Sequence, residues 1–440
     1  MNRSLLFSLT LWWSLAVTAT LPPYTFAERS ADALTFQPRA ELDYAQLERI
    51  VREGSAALKP AQRQAALAAL QIKQAQLYGN PSLDGAWGTM PVGRTTPSNL
   101  DRPWANVPNY GVGVSYLFPI GKRGPRIHQA EALSSAAGAE LEMATRDSAL
   151  ALANVLGELA TATLRREGMR QLVVGAQRQV ALANARLSAK FGTPLEVDRL
   201  VVDLRRSEQL LLNIDAEIQA DLAACSGVVG ATCQTFADAP AARNYLARWL
   251  SLTLPDQVEL AQRPDLRALD AYVAASHANA DLAAAQAIPD PTLRLGYLHD
   301  RFVISGNQRN SLNVSVSMPL PVFDHGQVQQ RAAEAAARAL AEERAQRVAA
   351  ARARIPLLRE RFQLQRARCQ SLDDEILPKA EAVLGSLEQA VENRLIPLTD
   401  VIQARRTLSE LLIERAESCG DAYTAALELI RETPRNEKTP

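Results

Sequence analysis

The sequence predicts a mainly α-helical protein with a small β part, in which a unit of long antiparallel helical hairpins and membrane-spanning β-strands is duplicated. Three observations lead there. The chain repeats its own landmarks about 200 residues apart, two very long tracts have helical composition, and four segments alternate apolar and small or polar residues.

The composition sets the frame. Of 440 residues, 48 are Lys or Arg and 48 are Asp or Glu, so the formal net charge is zero. A balanced chain lacks the basic excess of a nucleic-acid binder and has no electrostatic attraction to an anionic membrane surface. The apolar share is 47%, yet aromatics make up only 5% and alanine much of the rest. Such chains form long, closely packed helices instead of a thick globular core.

Residues 1–27 read as a secretory signal peptide. Arg3 supplies the positive start, Leu5 to Ala19 form an uncharged run, and small residues around Val17 to Ala19 or Thr25 to Ala27 offer cleavage sites. The run is short for the ~20 residues a membrane span needs. No later window could form a transmembrane helix, so any membrane-embedded part must be β-structure.

The repeat defines two units, 28–240 and 241–440. Lys59-Pro60 opens a helical stretch ending at Gly79-Asn80-Pro81, and Arg263-Pro264 opens its counterpart, ending at Pro289-Asp290-Pro291. Strands follow at Ser82 to Met90 and Thr292 to Asp300, then at Tyr110 to Ile120 and Leu312 to Val322. A long helical tract comes next in each unit, broken at Gly192-Thr193-Pro194 and at Ile396-Pro397. Internal repetition of this kind decides architecture before any single residue does.

The tract from Gly326 to Glu392 would make a rod of about 100 Å at 1.5 Å per residue. Half of Arg331 to Arg354 is alanine. A rod so poor in large apolar residues needs antiparallel neighbours, which the breaks supply by folding Leu195 to Ala224 and Leu398 to Arg431 back along their partners. Pro378 is expected to bend the second rod partway along.

In the strands, Tyr110, Val112, Val114, Tyr116 and Phe118 alternate with Gly111, Gly113, Ser115 and Leu117, while Leu312, Val314, Val316 and Met318 alternate with Asn313, Ser315 and Ser317. The apolar set suits lipid and the other set a wet lumen, which makes Gly111, Gly113, Ser115, Asn313, Ser315 and Ser317 the candidate pore-lining residues. Four strands cannot close, and open edges are forbidden in lipid. Two chains would give eight strands with a filled interior, three chains twelve and an open pore.

Catalytic chemistry is thin. His128, His277, His299 and His325 are scattered without i,i+4 pairing, no Gly-rich loop follows a buried strand, and no Ser–His constellation is evident. We therefore expect no enzyme, no cofactor and no resident metal. The four cysteines, in an oxidising compartment, are expected to pair as Cys225–Cys233 and Cys369–Cys419. The first pair flanks a short Gly-containing loop. The second lies 25 residues to either side of Arg394, so antiparallel rods turning there would bring both thiols to the same height, about 37 Å from the tip.

Several of these segments resemble the TolC family of outer-membrane efflux channels, and within it the CzcC-like heavy-metal branch. The resemblance runs across roughly residues 40–432. It rests on Arg263-Pro264-Asp265-Leu266, on Pro319-Leu320-Pro321-Val322-Phe323-Asp324-His325-Gly326, on Ile376-Leu377-Pro378 and on Pro397-Leu398-Thr399-Asp400-Val401-Ile402-Gln403-Ala404-Arg405-Arg406. It implies a homotrimer with a twelve-stranded barrel in outer-membrane lipid and an α-helical tunnel in the periplasm. The implied partners are a periplasmic adaptor and an inner-membrane pump, and the implied role is that of a passive exit duct for small solutes, heavy-metal cations among them. The competing reading is a soluble periplasmic coiled-coil adaptor or scaffold. The two periplasmic tips are the expected gate and docking surface, with Phe191, Gly192, Thr193, Asp198, Arg199, Arg394, Pro397, Asp400 and Arg405 at or just past the turns. The second tip departs from the family pattern, with Val391 and Arg394-Leu395 where an aromatic and a glycine are usual.

Overall fold

The structure is a computed structural model and describes residues 35–93, 102–251, 258–301, 308–393 and 397–434. The expected signal peptide and Arg394 lie outside the described residues. Helix, strand, strand and two further helices follow one another twice along the chain. The first set is α2 (Lys59–Gln76), β2 (Ser82–Gly88), β3 (Asn109–Leu117), α4 (Arg123–Ser188) and α5 (Pro194–Val229). The second is α7 (Pro264–Gln286), β5 (Thr292–His299), β6 (Asn310–Ser317), the rod α8 (Gln327–Ser371) with α9 (Leu377–Glu392), and α10 (Leu398–Glu432). Shorter elements join them: β1 (Thr35–Phe36), α1 (Tyr44–Gly54), α3 (Pro103–Asn106), β4 (Thr232–Cys233) and α6 (Ala239–Leu250).

Local chemistry sets the helix ends. Asp43 and Gln46 close a reciprocal capping box on α1. Thr193 caps α5 through its hydroxyl with Pro194 as the first helical residue, and Asp238 caps α6 in the same way. The strands end one to five residues earlier than the sequence suggests. Pro119 and Pro319 follow β3 and β6 closely, and without an N–H neither can continue a ladder.

The 66-residue α4, about 100 Å long, is the spine. It packs against α2 and α7, against α6 and α10, and against α5. Its buried side is made of small residues, including Ala136, Ala137, Ala149, Ala153 and Ala160, which let neighbouring helices approach closely. One close approach is at Gly157, where a methyl group would stand 2.2 Å from the Tyr423 ring. Around that point Phe236, Tyr245, Trp249 and Tyr423 form an aromatic core. The Tyr423 hydroxyl donates to the Ala153 carbonyl at 2.6 Å and lies 2.9 Å from the Tyr245 hydroxyl.

Pro378 acts differently from a simple kink. The rod widens into a π-helical turn at Leu372–Ile376 just ahead of it, which accommodates the missing N–H and the ring's clash with the carbonyl four residues back. Pro356, which the sequence reading did not single out, lies inside α8 without interrupting it.

The four longer strands form one antiparallel sheet in the order β2-β3-β5-β6. All four long helical connections leave from the same end of this sheet, because α2 and α7 lead into β2 and β5 while β3 and β6 lead out into α4 and α8. Lys122 bridges to Asp290 at 2.6 Å, and the Ile120 N–H donates to the same carboxylate, so the two units are tied together where sheet meets helices.

Candidate functional site: a two-faced sheet and a pair of helical tips

Register assigns every strand residue to a face. One face carries the rows Leu83–Val114–Leu295–Val314 and Gly85–Val112–Tyr297–Leu312, with Tyr116, Leu293 and Val316 beyond them. These side chains are open to the surroundings: Leu83 is 76% exposed and Val314 68%. A half-buried sheet of a soluble protein would cover such a face. Aromatic residues bound it at both ends, with Trp87 stacked on Tyr110 and Arg301 over the Tyr110 ring at one end, and Tyr116 edge-on to Phe118 at the other.

The opposite face is small and polar. The structure brings Gly111, Gly113, Ser115, Asn313, Ser315 and Ser317 together on it, in the rows Ser82–Ser115–Arg294–Ser315 and Asp84–Gly113–Gly296–Asn313. Asp84, which the sequence reading passed over, accepts a hydrogen bond from the Ser115 hydroxyl at 2.8 Å, and Arg294 Nε lies 3.8 Å from it. Both outer strands, β2 and β6, keep unpaired edges within the chain.

At the far end, the first tip is a tight turn. Lys190 takes a left-handed conformation, and the Phe191 N–H donates to the Arg186 carbonyl at 2.8 Å. Gly192 permits the chain to pass close to α4, since a methyl group there would meet the Leu187 nitrogen at 3.1 Å. Phe191 and Leu195 project into solvent, 80% and 77% exposed. Asp198 and Arg199 are exposed on the first turns of α5, and Asp400 on the first turn of α10, where its charge favours the helix N-terminus. Pro397 is exposed at the N-cap of α10. Arg405 points back into its own hairpin and pairs with Glu388 on α9. Between the two hairpins, toward the tips, lies an open cleft of about 840 Å³ whose walls include Met169, Leu210, Leu384, Ile402 and Ile413.

The remaining singled-out residues have structural surroundings. Cys225 and Cys233 are bonded with Cα atoms 6.0 Å apart, and Cys369 and Cys419 with Cα atoms 4.9 Å apart, so the second bond staples α8 to α10 beside the π-turn. Among the described residues one juxtaposition of candidate metal ligands occurs, Cys369, Asp373 and Cys419. Its sulfurs are joined to each other, and its carboxylate is occupied by a bidentate contact from Arg415. His128, His277 and His325 are exposed and apart, while His299 bonds to Asn310. The Arg263-Pro264-Asp265-Leu266 segment proves to be a clamp. Arg263 reaches Asp265 at 3.0 Å and both the carboxylate and the carbonyl of Glu432 at 2.9 Å. Burial alone would raise the Asp265 carboxyl, but the hydrogen bonds and charge of Arg263 hold it below the usual carboxylate range. Arg146, from α4, donates to the carbonyls of Ile430, Arg431 and Thr433 and so closes the end of α10.

Comparison with known proteins gives this geometry relatives. Residues 256–432 match the family model described as outer membrane efflux protein. The chain is 27% identical over 318 residues to the cobalt-zinc-cadmium resistance protein CzcC of Cupriavidus metallidurans, covering 71% of this chain and 73% of that protein. Over these residues the chain is similar to the outer membrane efflux proteins, the metal-resistance protein CzcC among them. Its fold matches the outer-membrane channel OprN with a TM-score of 0.68 at 20% identity, covering 88% of this chain and 89% of that one. It matches the outer membrane protein VceC of Vibrio cholerae with a TM-score of 0.66 at 20% identity, covering 88% and 95%.

Proposed function

We propose that three copies of this chain close a twelve-stranded barrel and form a passive exit duct for small solutes. The observation that carries this is the four-stranded sheet itself: an exposed apolar face bounded by aromatics, a small polar face behind it, and two open edges. Neither the edges nor the apolar face is tolerable in one copy in water; pairing β6 of each copy with β2 of the next closes the edges, and membrane lipid covers the apolar face. The helical hairpins, all leaving from one end, continue the lumen as a tunnel. Among the described residues no catalytic constellation accompanies them. A soluble scaffold would instead present charge on the face that carries Leu83, Val114, Leu295 and Val314.

In this reading the tips are the gate and the docking surface for a periplasmic adaptor, through which an inner-membrane pump delivers its cargo. Exposed Phe191 and Leu195 supply apolar contact, and Asp198, Arg199, Arg394 and Asp400 supply charges that can pair across the aperture. The resistance protein CzcC, whose name specifies cobalt, zinc and cadmium, makes heavy-metal cations the first cargo to test. The test is fractionation followed by reconstitution: the protein is expected in the outer-membrane fraction and, purified in detergent, to give stepwise conductance in planar bilayers. Replacing Asp400 and Arg394 with neutral residues is expected to raise that conductance. Recovery in the soluble periplasm without detergent would refute the duct.

A further inference from the structure

Apart from Ala86, Leu117 and Leu298, the uncharged residues of the polar face are Gly, Ser, Asn and Thr, and among the described strand residues only two ionisable side chains stand on it. Asp84 is on β2 and Arg294 on β5, with β3 between them. To meet, they have to reach across that strand. Arg294 does so over Gly113, where a methyl group would come within 3.1 Å of its Nε. The Nε then lies 3.8 Å from Asp84 Oδ2, and the Ser115 hydroxyl donates to the same oxygen at 2.8 Å. Four residues on three strands thus lay one guanidinium flat along the wall. Both charged side chains remain open to the aqueous side, 45% and 38% exposed, so the pair has the accessibility of a lumen element and not of a core ion pair.

We propose that Asp84 and Arg294 are the ion-selectivity element of the barrel lumen. This rests on the barrel described above. Repeated in each protomer, they form a ring of three compensated pairs partway along the strands. Asp84 and Ser115 hold Arg294 against the wall, and the ring presents no net charge to passing solutes. A ring of three unpaired guanidinium groups would repel cations and concentrate anions, and three unpaired carboxylates would do the reverse. The compensated ring admits both, which is what a duct serving cationic cargo requires of its only strand-borne charges.

Reversal potentials in planar bilayers under a KCl gradient near 0.1 M test this, because the field of the ring then extends about 10 Å into the lumen. Relative to the unmodified chain, Asp84→Asn is expected to shift permeability several-fold toward anions and Arg294→Gln several-fold toward cations. The double variant should return close to the starting value, and in 1 M salt, where screening tightens to about 3 Å, the single-variant shifts should collapse. Asp84→Asn is isosteric and Arg294→Gln keeps a polar side chain on the same face, and the appearance of conductance steps of normal size shows that each variant has assembled. Steps with unchanged reversal potential in both single variants would overturn this proposal and leave the barrel standing. Absence of any steps from the unmodified chain would overturn both.

Discussion

The two disulfides close loops of very different length, and this allows a quantitative test of how the second hairpin is held. Cys369 and Cys419 are separated by 50 positions, Cys225 and Cys233 by 8. If each bond acts by restricting the unfolded chain, removing the first costs about 4 kcal/mol and the second about 2.5 kcal/mol at 25 °C. All four sulfurs are buried to a similar degree, so the packing lost on replacing a pair by alanine largely cancels in the comparison. The difference, about 1.6 kcal/mol, is the loop-length term. The measurement is guanidinium unfolding of detergent-solubilised protein, followed by helical circular dichroism, for Cys369→Ala/Cys419→Ala against Cys225→Ala/Cys233→Ala. Equal losses, or a larger loss for the short loop, would refute an unfolded-chain mechanism. The staple would then act through local packing with the Arg415–Asp373 contact beside it.

Three further outcomes follow from particular contacts. Val314→Arg on the exposed apolar face is expected to cost about 2–4 kcal/mol if it lies near the bilayer midplane, whereas Ser315→Arg on the polar face should assemble and alter conductance; equal tolerance, read from assembly yield and single-channel recordings, would refute the assignment of the faces. Gly157→Ala places a methyl group against the Tyr423 ring and is expected to destabilise by about 1–3 kcal/mol despite the gain of about 1 kcal/mol in helix propensity; an unchanged denaturation midpoint would contradict the close approach. Burial, with Glu158 and Glu217 nearby, pushes the Asp221 carboxyl up to about 6, so between roughly pH 4 and pH 6 the folded chain keeps a proton that the unfolded chain releases, and stability falls as pH rises through that window. Asp221→Asn should therefore stabilise at pH 7, by less than about 1 kcal/mol for a carboxylate this open to solvent, and change nothing below about pH 4; a gain of the same size at both pH values would show that charge is not the cause.

Elements governed by one segment's own residues were legible in the sequence. The long helices follow from composition, and their breaks from Gly192-Thr193-Pro194 and Pro397. The two strand faces follow from a period-two alternation that needs no partner to be seen. Where Pro378 acts was legible too, but its form was not, because a π-turn redistributes hydrogen bonds over Leu372–Ile376 in a way that no residue type announces. The Arg263 clamp was visible only as an unexplained motif. Its partner Glu432 stands 169 positions later, and nothing local connects the two.

The Asp84–Arg294 pair shows the same limit at the site itself. Alternation alone places Arg294 on the polar face, since it lies between Leu293 and Leu295. Asp84 sits in Ser82-Leu83-Asp84-Gly85-Ala86-Trp87, where Gly85 interrupts the apolar set, so the alternation there is weak. Only register relates the two. Strand order places β3 between β2 and β5, and the pairing of Asp84 with Gly113 and of Arg294 with Ser115 puts the two charges on adjacent rows across a glycine. A one-residue slip of β2 would send Asp84 to the apolar face and leave Arg294 unpaired on the polar one. A misregistered sheet would then carry a carboxylate among the apolar rows and a bare guanidinium over Gly113, and each disfavours the slip independently of the apolar pattern.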